Sequence, residues 1–251
     1  MDKNVAVIIL AAGQGTRMKS NKAKVLHKLL GKPMVLYVVE TAMQVAGQNV
    51  ILVVGHQAQK VRDVVSEKAD LIYAFQKEQL GTGHAVLCAL PHIPSHIEEV
   101  VILCGDVPLI TPQTITDLVE DHLSKERDVS VLAVEIENPQ GYGRIIFDKN
   151  HRICAIVEES DAAKEQKRIK TINTGMYCVK KDFLSTALPK VNATNAQSEI
   201  YLTDIIEIAY NQKKNIGAKI GADRLEVMGI NTRQELQRIE SIMKQRMHNI
   251  A

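Results

Sequence analysis

Four short, almost wholly apolar runs, residues 5–10, 49–54, 71–75 and 100–104, alternate with amphipathic stretches at 34–46, 58–66, 84–90 and 111–123. A strand with no polar face must be covered on both sides, so this alternation predicts βαβ units on a mainly parallel sheet with helices on both faces. Pro33 stands where a first helical turn tolerates proline, and Gly47 stands where a left-handed cap would close the same helix. The chain has 251 residues, 45% of them hydrophobic and 24% charged, which is ordinary globular composition. A chain of that length can bury about three quarters of its unfolded surface.

Composition also excludes classes of function. The net charge is +2, which supplies no whole-molecule field for nucleic acid or membranes, and aromatic residues are only 4% with no tryptophan, which disfavours base-stacking platforms. The apolar run at 5–12 is too short to span a bilayer. Cys88, Cys104, Cys154 and Cys178 form no CxxC pair, so they read as buried free thiols in a reducing, cytoplasmic setting.

Beyond about residue 129 the runs shorten, at 129–134, 144–147, 153–157 and 175–179, with a polar turn at 138–141. This predicts a β-richer half laid against the first, with a ligand cleft between two lobes of one continuous domain: about 1–128 and 129–231. Residues 160–170 are dense in charge and read as a solvated helix or mobile loop. Thr232 and Glu235 have capping-box spacing, and Leu236, Ile239, Met243 and Met247 form one stripe of a C-terminal helix over 232–251.

The strongest local signal is Leu10-Ala11-Ala12-Gly13-Gln14-Gly15-Thr16-Arg17-Met18, where the first strand ends. Small residues at the carboxyl end of a parallel strand let backbone N–H groups approach an anion, and a plain βα turn is the alternative. Met18 breaks the dinucleotide-binding glycine pattern, and no GK[ST] follows as a P-loop requires. Arg17, Lys19, Lys22, Lys24, Lys28 and Lys32 then come with no acidic residue among them, which predicts a positive patch beside the turn, or else a solvated loop. Asp106 follows the strand at 100–104 and sits where it could hold Mg²⁺, or simply form a turn before Pro108, which also abolishes a DxD signature.

Taken in order, LAAGQGTRM with Lys24, QKEQLGTGH, GDVP, GYGRI, IVEE, INTG, YLTDII and GIN cover essentially the whole chain. This set resembles the pyrophosphorylase domain of the bifunctional N-acetylglucosamine-1-phosphate uridylyltransferase/glucosamine-1-phosphate acetyltransferase family. The resemblance implies an α/β, Rossmann-like nucleotide-diphosphosugar transferase fold that makes UDP-N-acetylglucosamine and pyrophosphate from UTP and N-acetylglucosamine 1-phosphate. It implies that Leu10, Ala11, Ala12, Gly13, Gln76, Gly81 and Thr82 hold the uridine nucleotide, that Arg17 and Lys24 grip the triphosphate, and that Asp106 and Asn231 bind Mg²⁺. Gly143, Glu158 and Asn173 would line the sugar pocket, with Asn231 also close to the substrates.

Each of these residues also has a local reading. An amide such as Gln76 can both donate and accept against uracil, but Gln76 also suits a strand end; Glu158 suits a charged strand end, Gly143 a turn, and Asn231 a helix start. Two departures from the family stand out: Ala23 replaces the usual proline before Lys24, which predicts a less rigid approach to the lysine, and no β-helical acetyltransferase half follows residue 251. Acetyl transfer is therefore not expected of this chain, nor a nucleic-acid or membrane partner, and a monomer is the default.

Overall fold

A computed structural model of the chain describes residues 4–221 and 223–248, and side chains as far as residue 245. The elements run β1 (Val5–Ala11), β2 (Lys28–Leu29), β3 (Lys32–Pro33), α1 (Met34–Ala46), β4 (Val50–Val54), α2 (Ala58–Ser66), β5 (Ile72–Phe75), α3 (Thr82–Ala89), β6 (Glu99–Cys104) and α4 (Pro112–Ser124). They continue with β7 (Val129–Glu135), β8 (Gly143–Phe147), β9 (Ile153–Val157), β10 (Thr171–Lys180), α5 (Lys181–Ala187), α6 (Ile205–Asn211), β11 (Ile216–Ile220) and α7 (Arg233–His248). Nine strands form one sheet in the order β11-β7-β10-β6-β1-β4-β5, with β8 pairing β10 and β9 beyond it, while β2 and β3 form a separate small hairpin.

The centre of the sheet is parallel: β1 pairs with β6 and β4, and β4 with β5. Side chains alternate between its faces. Val5, Val7, Ile9 and Ala11 enter the core shared with α1, α2 and α4, whereas Ala6 and Ile8 enter the opposite core, built with α3, α5 and α6. Every residue of β4 is buried, as a strand covered on both sides demands. Each such Ile or Leu contributes about 1.5–3 kcal/mol by leaving water.

One strand breaks the parallel pattern. β10 runs antiparallel to β6, β7 and β8, joining both halves of the chain through one ladder. Its register shifts between Asn173 and Tyr177, and Gly175 within the shift has φ 79°. Glycine adopts that conformation without strain, as a bulge of this kind requires. Because β10 is reversed, its first residues lie at the edge where β1, β4, β5 and β6 end. The start of β8 and the end of β9 reach the same edge, since Arg144 pairs with both Ile172 and Val157.

The predicted helices match closely, but the details correct several expectations. Pro33 is the residue before α1 rather than its first turn, and Gly47 has φ 59° with ψ -120°, a positive φ outside the left-handed helical region. The first half of β10 extends beyond the predicted run. The sequence pattern does not predict α5 or α6, whose seven residues each offer too few helical periods, nor β11, whose apolar run is broken by Gly217 and Lys219. Residues 160–170 form turns and a single 3-10 turn, not an α-helix. Of the four free cysteines only Cys178 is buried; Cys88, Cys104 and Cys154 are half-buried.

The capping box is present. Thr232 Oγ1 accepts from the Glu235 amide at 3.2 Å, and the Glu235 carboxylate accepts from the amides of Thr232 at 2.9 Å and Asn231 at 2.7 Å. Ile239 is buried with Leu236 and Met243 alongside it against Leu29 and Met34, while the Met247 side chain lies outside the described residues. Because one carboxylate both starts α7 and holds the backbone of Asn231, Glu235→Ala is expected to lower stability by about 1 kcal/mol in urea denaturation. An unchanged midpoint would show that the box contributes nothing.

Candidate active site

The sheet edge gathers four of the expected residues, Arg17, Asp106, Asn231 and Lys24, into one cluster. Lys24 Nζ forms an ion pair with Asp106 Oδ2 and donates to Asn231 Oδ1 at 3.1 Å, and Arg17 donates to the same Asn231 oxygen at 2.8 Å. Asp106 comes from the end of β6, and its carbonyl accepts from the Ile230 amide at 2.9 Å, which ties residues 230–231 to it across the sequence. Asp106 and Asn231 thus aim two hard oxygens at one cation, a donor set that suits a divalent metal completed by water and phosphate oxygens. Of the six basic residues in the run from 17 to 32, only Arg17 and Lys24 reach this cluster. Lys32 instead pairs with Glu40 over the Tyr37 ring, and Lys19, Lys22 and Lys28 are exposed.

Local backbone decides where Lys24 goes. Gly15 has φ +69°, and a Cβ there would collide with the Lys24 side chain, so glycine is needed on two counts. Ala23 is fully buried with φ -51° and ψ 134°. A proline would share those values. The Ala23 amide, which proline lacks, donates to Gln57 Oε1 at 3.2 Å, while Gln57 Nε2 donates to the Asn21 carbonyl. The expected loss of rigidity is therefore made good by a side-chain clamp from the start of α2.

Beside the cluster lies a cavity of about 300 Å³ lined by Leu10, Ala11, Ala12, Gly13, Gln76, Gly81, Thr82, Asp106 and others. Gly81 has φ +110° and packs against the Ile200 backbone, where a Cβ would clash. The Thr82 hydroxyl accepts from the Leu202 amide at 3.0 Å, so the start of α3 is bolted to the segment before α6. Gln76 is buried, and its Nε2 donates to the Gly81 carbonyl at 3.0 Å and sits 3.1 Å from His84 Nδ1. The nitrogen is thus engaged within the protein, and the amide does not offer the cavity a donor and an acceptor together.

Cys104 also lines this cavity. Burial, reinforced by the Asp106 carboxylate, pushes its thiol up to about 12, so it is no nucleophile at neutral pH. It packs against Gly175 in the β10 bulge and connects the cavity to the three remaining expected residues. Gly143 pairs with Asn173 in register, and a Cβ on Gly143 would lie 3.2 Å from Glu158 Oε2. Asn173 Oδ1 accepts from the Gly175 amide at 2.9 Å. Burial raises the Glu158 carboxyl above its ordinary range, and the charges of Asp204 and Asp161 add to it while that of Arg144 opposes it.

Sequence reading did not single out Thr203, Asp204 or Gln57, nor Glu199, which lines the same cavity, nor a site role for Cys104. Thr203 and Asp204 stand in the quoted YLTDII run, where an acid inside an apolar stretch was the available signal. Burial first, then Glu207 and Asp161, pushes Asp204 up to about 6. Gln57 carried no signal, because its partner Ala23 is 34 positions away.

Curated relatives called bifunctional protein GlmU include one from Geotalea uraniireducens, 48% identical over 245 residues, covering 98% of this chain and 54% of that protein. Another, from Caldanaerobacter subterraneus subsp. tengcongensis, is 47% identical over 241 residues, covering 96% and 52%, and that of Desulfotalea psychrophila is 41% identical, covering 96% and 71%. The chain thus spans about half the length of the first two. Among solved structures, a UDP-glucose pyrophosphorylase complexed with UDP-glucose superposes with a TM-score of 0.76 at 20% identity over 96% of this chain and 98% of the other. A putative glucose-1-phosphate thymidylyltransferase from Bacillus anthracis superposes with a TM-score of 0.72 at 20% identity over 95% and 94%, so the fold is the Rossmann-like one these enzymes share. The nucleotidyl transferase family profile matches residues 6–224, and the chain belongs to that family.

Proposed function

We propose that the chain catalyses nucleotidyl transfer from UTP to N-acetylglucosamine 1-phosphate, forming UDP-N-acetylglucosamine and pyrophosphate. The observation that carries this reading is the convergence of Arg17, Lys24, Asp106 and Asn231 at the sheet edge, next to a cavity lined by Leu10 to Gly13, Gln76, Gly81 and Thr82. The sugar would lie toward Gly143, Glu158 and Asn173, whose carboxylate and amide suit hydroxyl and acetamido groups. The reading carries no nucleic-acid or membrane partner, in keeping with a net charge of +2; among the described residues no helix is long and apolar enough to cross a membrane. It places the reaction in the cytoplasm, with the chain acting as a monomer.

The nucleophile is a sugar phosphate oxygen whose second pKa is about 6, so it arrives ionised and needs no general base. The protein's task is to bring two polyanions together. Asp106 and Asn231 would hold Mg²⁺, which when bound supplies neutralisation of charge on the triphosphate and on the leaving pyrophosphate. Lys24 then exchanges its carboxylate partner for a phosphate, and Arg17, exposed at the mouth, meets the same anion. The test is pyrophosphate release from UTP, N-acetylglucosamine 1-phosphate and Mg²⁺; no release from this chain would sink the assignment.

Three outcomes follow. Asp106→Ala is expected to lower turnover by about a hundred- to a thousandfold with the fold retained by circular dichroism, the scale on which removing one electrostatic group in such a site acts. A near-wild-type rate would remove Asp106 from the metal. Gln57→Ala is expected to lower kcat about tenfold by freeing the backbone before Lys24, and adding Ala23→Pro should recover part of the loss. If the double variant is no better than Gln57→Ala alone, the clamp does not position Lys24. Because Glu158 has its pKa raised above 4.5, it gains a proton as pH falls through the mildly acidic range and loses acceptor strength. The KM for the sugar phosphate should rise as pH falls there in the wild type, and stay flatter in Glu158→Gln; parallel profiles would exclude Glu158 from the sugar site.

A further inference from the structure

We propose that His84 makes the base cavity selective for uracil, by holding the Gln76 amide so that only its carbonyl oxygen faces the nucleotide. The inference rests on the uridylyltransferase reading and extends it to the choice of base. A primary amide nitrogen carries two hydrogens. Both have a partner here: the Gly81 carbonyl at 3.0 Å and His84 Nδ1 at 3.1 Å. One turn further along α3, Cys88 Sγ lies 3.8 Å from His84 Nε2. The tautomer that satisfies both contacts carries its proton on Nε2, pointing at sulfur, and leaves Nδ1 as the acceptor Gln76 needs.

The flipped amide is disfavoured on the same grounds. It would set Oε1 against the Gly81 carbonyl oxygen and the Nδ1 lone pair, two acceptors facing an acceptor, in a residue only 3% exposed. Among the described hydrogen bonds Oε1 has none, and Gln76 lines the cavity, so this oxygen is what the base meets. A lone carbonyl oxygen accepts a hydrogen bond from uracil N3–H. Cytosine presents a lone pair at N3 instead, and two acceptors facing one another repel. Gly81 supplies one anchor through its backbone, so the side chain that decides the amide's orientation is His84, a positioning residue that need not touch substrate.

The experiment measures kcat/KM for UTP and for CTP, with N-acetylglucosamine 1-phosphate and Mg²⁺, in the unsubstituted chain, His84→Ala and His84→Asn. Asparagine carries its Oδ1 on the same γ carbon that carries Nδ1 in histidine, so it keeps the acceptor without the ring. Preference for UTP over CTP should fall about tenfold in His84→Ala, the scale of one net hydrogen bond, and the loss should appear in the KM for UTP rather than in kcat. His84→Asn should retain the wild-type preference within about threefold. Full preference in His84→Ala, or equal loss in both variants, overturns the proposal while leaving the uridylyltransferase reading intact. Failure of the unsubstituted chain to use UTP would remove that reading and the proposal with it.

Discussion

A sheet that is apolar on both faces can meet polar ligands only at its ends. That constraint organises this molecule: β1, β4 and β6 are sealed between two cores, so the residues just past their carboxyl ends are where backbone and side chains become available to an anion. Leu10 to Gly13, Gln76 and Asp106 all lie there because their strands are parallel and in register. The reversed strand β10 extends the same edge into the second half of the chain, and its bulge at Gly175 seats Cys104 where the nucleotide cavity and the Gly143, Glu158 and Asn173 group adjoin.

Electrostatics at that edge is self-contained. Lys24 is held by Asp106 and Asn231, and Arg17 by Asn231, so the cations proposed to take phosphate are neutralised by the oxygens proposed to take metal. Such an arrangement avoids leaving a partly buried charge unpaired, and under the proposed function both sets of groups would gain new partners when substrate and metal bind. The β-rich side differs: Glu158 and Asp204 are carboxyls raised mainly by burial, with further acids nearby, an environment suited to neutral sugar hydroxyls rather than to phosphate.

Legibility tracked the range of the interaction. Helices α1 and α2 were readable because each carries several periods of its own pattern, and strands β1, β4 and β6 because each is an almost unbroken apolar run. The α7 cap was readable because Thr232 and Glu235 are three residues apart. By contrast α5 and α6 are seven residues each and β11 five, and the packing that stabilises them comes from distant strands. The positive run from 17 to 32 looked like one patch, yet the β2–β3 hairpin turns its later lysines away and leaves Arg17 and Lys24 alone at the site.

The sequence by itself determined the doubly covered parallel sheet, since strands without a polar face admit few other arrangements, and its ordered motifs pointed to the family. It also named the residues now found at the ligand edge. Only the tertiary structure decided how they act on one another. Lys24, Asp106 and Asn231 meet across separations of 82 and 207 residues, Gln57 supplies the restraint that Ala23 lacks, and His84 takes the second hydrogen of Gln76. The physical reason is that hydrogen bonds and ion pairs act over a few ångströms of space, and spacing along a chain carries that information only within a turn or a helix.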